Sequence, residues 1–395
     1  MISFDEALDL LRRAAAPLQT ESVDLEHAAG RVLASAVVAQ IQSPRSDVSA
    51  MDGYAVRDAD LGKLPARLKV VGESFAGGGW DGELRPGECA RTFTGAPITR
   101  GADRVVIQEQ VRREGKIAII DAHPGNERHV RRRGGDFVEG DGLVPAGRLL
   151  DPRAIVAAAA ADVAAVQVFR KPRVSLLSTG DELAEPGTAA RSKDAIPESV
   201  SFGIAALANA WGAEIVGRTH LRDDLPTMEK AAASAVADAD LVVVTGGASV
   251  GEKDFAKAMF DPLGLELIFS KVAIRPGKPA WFGRTGDALV IGLPGNPTSA
   301  LVTGRLFVAP LLAGLSGRNV DDALCWRRAS LASELPECGA RETFHRGRWI
   351  GSGVKVLSNQ DSSAQKVLAQ ADLLVRQRAH APAVSAGETL DVLDF

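Results

Sequence analysis

Three segments of this chain join an apolar run to a turn of small or turn-forming residues: VSLLSTGDEL (Val174 to Leu183), LVVVTGGASVGEKDF (Leu241 to Phe255) and LVIGLPGNPTSALV (Leu289 to Val302). Each reads as strand, turn and helix, and parallel sheets hold ligands at the carboxyl ends of their strands. In the first turn, Ser178, Gly180, Asp181 and Glu182 combine backbone N–H groups at a helix start, suited to an anion, with carboxylates suited to a divalent cation. Acids at a helix start also stabilise its macrodipole, so a plain structural reading stands beside the functional one. In the second turn, Gly246, Gly247 and Gly251 keep the backbone open next to the Ser249 hydroxyl and the Asp254 carboxylate. The metal candidates are Asp181, Glu182 and Asp254. Between the second and third segments lies KVAIRPGKP (Lys271 to Pro279), where Gly277 leaves room beside Arg275 and Lys278 for a small multiply charged anion. Cations merely exposed on a hairpin are the alternative. In the third segment Thr298 and Ser299 read as caps of a rigid turn before a helix. Carboxylates and cations thereby converge on one sheet edge, the pattern of a metal and oxyanion site.

Three earlier motifs carry weaker signals. SAMDGYAV (Ser49 to Val56) sets Asp52 against a glycine and the chain's single tyrosine, Tyr54, whose hydroxyl suits a specific hydrogen bond; an ordinary Asp-Gly turn explains it equally well. RTFTGAP (Arg91 to Pro97) is a turn before a strand. In VRRRGGD (Val130 to Asp136) three arginines beside two glycines can hold an anion or form a solvated cationic face.

Composition narrows the classes. The 395 residues, 46% hydrophobic and 24% charged, suit a globular protein of several domains, and the net charge of -4 gives no global pull toward nucleic acid or an anionic membrane. Cys89, Cys325 and Cys338 form no close pair, which favours a reducing compartment over a disulfide framework. The start of the chain lacks the apolar core of a signal peptide, and no apolar stretch approaches the roughly 20 residues that span a bilayer. A cytoplasmic location is expected. The histidines show no metal-ligand or nucleophile spacing, and GxGxxG is absent, so zinc hydrolysis, triad chemistry and hydride transfer have little support.

The elements that must position these residues follow from periodicity and punctuation. Residues 3 to 15 read as a helix with Ser3 and Glu6 as a capping box. Short β-type runs from Leu68 to Ile120 predict a compact sheet or barrel. The stretch Val144 to Phe169 pairs an extended run with an alanine-rich helix that has Pro152 in its first turn, and it reads as a return to the opening helix. From Lys171 the rhythm of strand and helix predicts a parallel α/β sheet to about residue 315, followed by a small β domain.

Taken in order, SAMDGYAV, TGAP, RRRGGD, STGDEL, TGGASVGEKD, RPGKP and GLPGNPTS resemble the MoeA family, the molybdopterin molybdenumtransferases related to the gephyrin E domain and its plant counterpart. The resemblance covers nearly the whole chain. It implies an α/β plus β multidomain fold: a linker and dimerisation domain from 1–42 and 138–168, an inserted β domain over 43–137, a MogA-like molybdopterin-binding α/β domain over 169–318 and a C-terminal β barrel over 319–395. It also implies insertion of molybdate into adenylylated molybdopterin with magnesium-dependent release of AMP. The functional acids carried over are Asp52, Asp136, Glu182, Asp254 and one of Asp223 or Asp224. Thr94, Lys271, Pro294 and Pro297 match further positions, and Lys278, Ser299, Arg341 and Ser363 match the molybdate site. A homodimer is implied whose site draws on both subunits, with a molybdopterin adenylyltransferase and molybdoenzymes or their chaperones as partners.

The chain departs from the family pattern at Arg275, where a lysine is usual, at Ser46, where phenylalanine is usual, and at Glu198-Ser199-Val200, where Asp-Ser-Asn is usual. Arg275 keeps charge with different donor geometry, and Val200 offers no amide. An active molybdenum insertase is one expectation, a divergent paralogue that carries molybdopterin without transferring metal is a second, and a nucleotide hydrolase or adenylyltransferase using the same α/β domain is a third.

Overall fold

The computed structural model describes residues 1–246 and 255–395. Three six-stranded sheets organise it. The α/β lobe carries strands in the order Glu214–Leu221, Arg173–Thr179, Leu241–Thr245, Ala288–Leu293, Trp281–Thr285 and Glu266–Phe269. The first four are parallel, the fifth runs antiparallel to them and the sixth pairs antiparallel with the fifth, so the sheet is mixed where a wholly parallel one was expected. Trp281–Thr285 and Ala288–Leu293 are joined by the tight turn at Gly286, φ 56°, which forces antiparallel pairing. Leu241–Thr245 and Ala288–Leu293 are buried along their whole length, as expected of strands covered on both faces.

The expectation of a helix directly after STGDEL is corrected. Short strands at Leu183–Ala184 and Ile196–Pro197 intervene, and the helix Val200–Ala210 begins about twenty residues later. Pro186, Gly187 and Pro197 punctuate that interval and block an earlier start. The helices Leu225–Asp238 and Pro297–Thr303 follow their strands as expected. The N-cap of the latter is Asn296 rather than Thr298 or Ser299, which lie inside the helix and are buried. Pro297–Leu315 forms one helical run of 19 residues, longer than the interrupted apolar stretches suggested, and long and apolar enough by length and composition to cross a bilayer. Here it is almost wholly buried, and its Arg305 donates to the carbonyls of Ala323 and Asp394.

The opening helix Phe4–Ala14 has the capping box of Ser3 and Glu6. Its apolar stripe does not meet the Val144 to Phe169 stretch. Phe4, Ala7, Leu8 and Leu11 join the α/β core, with Phe4 packed on Phe307 and Phe344 at centroid distances of 5.8 and 5.0 Å. A separate core unites Leu33, Val37, Val144, Leu150, Ala154 and Val168. The helix Pro152–Ala160 has Pro in its first turn and Asp151 as its N-cap.

The β lobe inserted after residue 43 orders its strands Arg104–Ile107, Gly53–Val56, Glu88–Thr92, Ala66–Ser74, Ile117–Ile120 and Val111–Glu114. The C-terminal sheet is centred on Glu342–Ile350 and Leu373–Gln377. It curls round through a bridge between Leu331 and Val354, which brings its two ends together. Buried Arg376 ties it to the opening helix by donating to Asp5 at 2.8 Å.

Candidate functional site

A cleft of about 710 Å³ opens at the carboxyl ends of the four parallel strands. Each strand end contributes: Thr179, Gly180 and Glu182 from Arg173–Thr179, Asp223 from Glu214–Leu221, Thr245 and Gly246 from Leu241–Thr245, and Pro294 to Pro297 from Ala288–Leu293. Glu198, Ser199 and Val200 form another wall, and Ser363 and Gln365 close the cleft from the C-terminal lobe. That lobe is fastened to the proline turn by Asn296 Nδ2 donating to Ser362 Oγ at 2.9 Å and by the Thr298 N–H on the Ser362 carbonyl at 3.2 Å.

The turn at Gly246 has a strict steric origin. Its φ is 95°, and a Cβ there would lie 2.4 Å from the Thr179 carbonyl oxygen, so the two neighbouring strand ends approach only through glycine. Gly180 lies under the Glu182 carboxylate, whose oxygens are 2.6 and 2.8 Å from where a Cβ would stand. Of the paired alternatives, Asp223 lines the cleft, whereas Asp224 caps the helix Leu225–Asp238 by accepting from the Thr227 N–H at 3.1 Å. Thr227 holds the Asp224 carboxyl below its ordinary range. Asp181 accepts the Asp223 N–H at 3.2 Å and so pins the end of Glu214–Leu221 to that of Arg173–Thr179. Glu198, 4% exposed, is occupied by the Ser201 N–H, the Ser201 hydroxyl and Arg218. Ser178 is buried in the sheet against Thr245 and does not line the cleft.

The basic turn is packed onto the helix of the third segment. Gly277, at φ 112°, faces Thr303, whose methyl would be 2.3 Å from a Cβ. Pro279 reaches the cleft wall and Lys278, one residue earlier, is exposed. Arg275 lines a different, smaller cavity of about 150 Å³ with His345 and Arg346. Burial pushes the Arg346 guanidinium down to about 10 and lowers His345 from its ordinary value. Ser299 is buried and does not line the cleft, and its carbonyl accepts from the Thr303 hydroxyl at 2.7 Å. Lys271 is exposed, with its carbonyl on the Ile2 N–H, and Arg341 lines neither cavity.

Asp52, Thr94 and Asp136 lie in or beside the β lobe, and none lines the cleft. Asp52 Oδ1 accepts both the N–H and the hydroxyl of Thr94 at 2.8 Å, which keeps its carboxyl below the usual range. Gly53 is required because a Cβ would be 2.1 Å from the Val106 carbonyl oxygen. The arginine turn already holds an anion of its own: the Asp47 carboxylate takes Arg132 at 2.5 Å and the Arg133 N–H at 2.8 Å. Asp136 is exposed and its N–H donates to the Ser43 carbonyl at 3.0 Å. The Tyr54 hydroxyl meets Arg113 at 3.5 Å.

Gly247, Ser249 and Asp254 lie outside the described residues. Among the described residues, no group of three or more His, Cys, Asp or Glu side chains is placed to hold a metal ion. Glu182 and Asp223 on one cleft are the donors that suit a hard cation whose remaining ligands are water and substrate oxygens. Thr179, Thr245, Asn296 and Gln365 line the cleft without having been singled out from sequence. For Thr179 and Thr245 the signal was available, since each is the last residue of an apolar strand.

Residues 2–162 match the family described as the MoeA N-terminal region, domains I and II, and residues 175–314 match the family described as a probable molybdopterin binding domain. The chain is 35% identical to a molybdopterin molybdenumtransferase of Haemophilus influenzae, over 100% of this chain and 99% of that one. It is 36% identical to one of Nostoc, over 82% of this chain and 76% of that one. Among solved structures it is similar to a molybdopterin biosynthesis MoeA protein of Pyrococcus horikoshii, with a TM-score of 0.86, 26% identity and full coverage of both chains.

Proposed function

This chain belongs to the MoeA family, the molybdopterin molybdenumtransferases, and we propose on that premise that its cleft takes adenylylated molybdopterin and receives molybdate as the substrate that supplies the metal, with release of AMP. The observation that carries the reading is the convergence of Gly180, Glu182, Asp223, Gly246, Pro294, Pro297 and Ser363 on one cleft at the carboxyl ends of four parallel strands.

The chemistry of the lining suits a phosphorylated substrate. The glycines at 180 and 246 let a phosphate approach the backbone, and the Ser199 hydroxyl, which makes no helix cap, can donate to its oxygens. Magnesium, when bound, would screen the charge of the pyrophosphate linkage, and Glu182 and Asp223 are the side chains that would hold it. Lys278, exposed one residue before Pro279 of the cleft wall, is a cation that can draw a tetrahedral dianion toward the site.

Asp52, Thr94 and Asp136 enter this proposal through a second copy. They line no part of their own chain's cleft, so a homodimer in which one protomer's β lobe faces its partner's cleft is the arrangement that gives them a role. A cytoplasmic location and transfer from an adenylyltransferase to molybdoenzymes or their chaperones complete the proposal. The carrier reading is favoured by one observation: Val200, 7% exposed, stands in the cleft wall where the family has an amide. Release of AMP from adenylylated molybdopterin by the purified protein separates the two.

A further inference from the structure

A cavity of about 250 Å³ opens where residues 29–32 and the strand end at Phe169 meet the α/β lobe, and it shares no lining residue with the cleft or with the Arg275 cavity. A closed circuit of contacts ties its lining together. Arg31 Nη2 donates to the Phe169 carbonyl at 2.8 Å, and the Phe169 ring lies against Gly317, where a Cβ would be 2.2 Å from it. Arg318, the next residue, holds its guanidinium 4.7 Å from the ring centroid of Trp211. Gly212, next to Trp211, completes the circuit, because a Cβ there would be 3.7 Å from the carbonyl oxygen of Gly30, the neighbour of Arg31.

Four cations line this cavity, Arg31, Arg170, Lys171 and Arg318, and no carboxylate does. Two of the four are paired from outside the lining, Arg31 with Glu21 and Arg170 with Asp240. Lys171 and Arg318 have no acidic partner among the described residues, so two positive charges are left over. Arg31 is 8% exposed and uses only Nη2 on Glu21 and the Phe169 carbonyl, which leaves Nε and Nη1 without a protein acceptor among the described residues. The Asn209 carboxamide on the same lining is likewise without one. Arg318 follows the end of the helical run Pro297–Leu315, where a cation is favoured by the helix carbonyls. That accounts for Arg318 and not for Lys171 or for the open side of Arg31.

We propose that this cavity binds a tetrahedral dianion of the phosphate class and that the ion clamps residues 29–32 to the α/β lobe. The two leftover charges match a dianion, and guanidinium N–H groups are the donors that phosphate oxygens take best. The cation side chains come from both sides of the joint, Arg31 from one and Arg318 from the other, so an ion held between them adds a connection that the unfolded chain lacks. Binding of that kind raises stability in proportion to the logarithm of ligand concentration. The cavity admits a free phosphate ion or the phosphate end of a small nucleotide, and both present the same oxygens to the same donors.

The test is calorimetric titration and thermal unfolding of the full-length protein with inorganic phosphate, against sodium chloride at the same ionic strength. Phosphate is expected to bind and to raise the unfolding temperature above the chloride reference. Lys171→Gln and Arg318→Gln are each expected to weaken phosphate binding about ten-fold and to remove most of that rise. Lys278→Ala, which bears on the cleft, should keep the rise. Should Arg318→Gln fail to fold, Lys171→Gln still decides, because that side chain is exposed and has no protein partner among the described residues. A rise in chloride equal to that in phosphate would reduce the effect to screening and overturn the proposal. Wild-type phosphate binding in Lys171→Gln and Arg318→Gln, or its loss in Lys278→Ala alone, would place the ion elsewhere and overturn it too. A second titration with AMP distinguishes the sources: displacement of phosphate supports a nucleotide phosphate in the cavity, and no displacement supports the free ion.

Discussion

Glu198 closes on Ser201: one carboxylate oxygen accepts the Ser201 N–H at 2.9 Å and the other takes the Ser201 hydroxyl, at the first turn of the helix Val200–Ala210. Ser199 occupies the N-cap position but makes no side-chain cap, so Glu198 does that work from one residue further back. The departure from the family's Asp-Ser-Asn is therefore compatible with a well-formed helix start. Glu198→Ala should cost about 1 kcal/mol, read as a lower urea midpoint, with Glu198→Gln retaining part of it. An unchanged midpoint for Glu198→Ala would show that the cap contributes nothing.

Gly246→Ala should be among the more damaging single substitutions in the α/β lobe. The added methyl meets the Thr179 carbonyl, and the residue must keep a φ of 95°. The cost should be about 2 kcal/mol or more, together with loss of substrate binding, because the cleft's central turn would have to shift. Stability measured by denaturant and ligand affinity measured by titration should fall together.

Asp151 predicts a feature of the acid limb of stability. The Arg153 guanidinium first, and then the Ala154 N–H, hold its carboxyl down to about 2. A carboxyl whose folded value lies below its unfolded value, near 4, stabilises the fold above about pH 4 and loses that contribution as pH falls toward 2. Asp151→Asn keeps a cap acceptor that does not titrate. Its melting temperature should therefore decline less steeply than wild type between pH 4 and 2, and parallel curves would contradict the assignment.

Glu182→Gln and Lys278→Ala should leave unfolding nearly unchanged, because both side chains are exposed. Turnover should fall by about ten-fold or more in each. The magnesium requirement should change in the first and the molybdate requirement in the second. Equal sensitivity of both variants to both ions would break the division of roles.

Much of this architecture was legible in the chain because its signals are local. Ser3 and Glu6, Pro152 and the alternation after Lys171 mark their elements through caps, first-turn proline and hydrophobic period. The failures were of tertiary origin. The stripe of Phe4 and Leu11 announces a buried face without saying against what, and it found Phe307 and Phe344 rather than the helix near residue 152. Antiparallel pairing of Trp281–Thr285 reads like any apolar strand until its turn at Gly286 is seen. At the site, spacing could not distinguish Asp223 from Asp224, because which of two adjacent acids caps a helix depends on where the helix begins. Nor could it show that Asp47 would occupy the arginine turn, since those residues are more than 80 positions apart.

The central claim is tested most directly by AMP release from adenylylated molybdopterin by the purified protein, with molybdate and magnesium each present or withheld. The account predicts release that requires both. Tight binding of molybdopterin with no release under any of the four conditions would contradict it and make the chain a carrier.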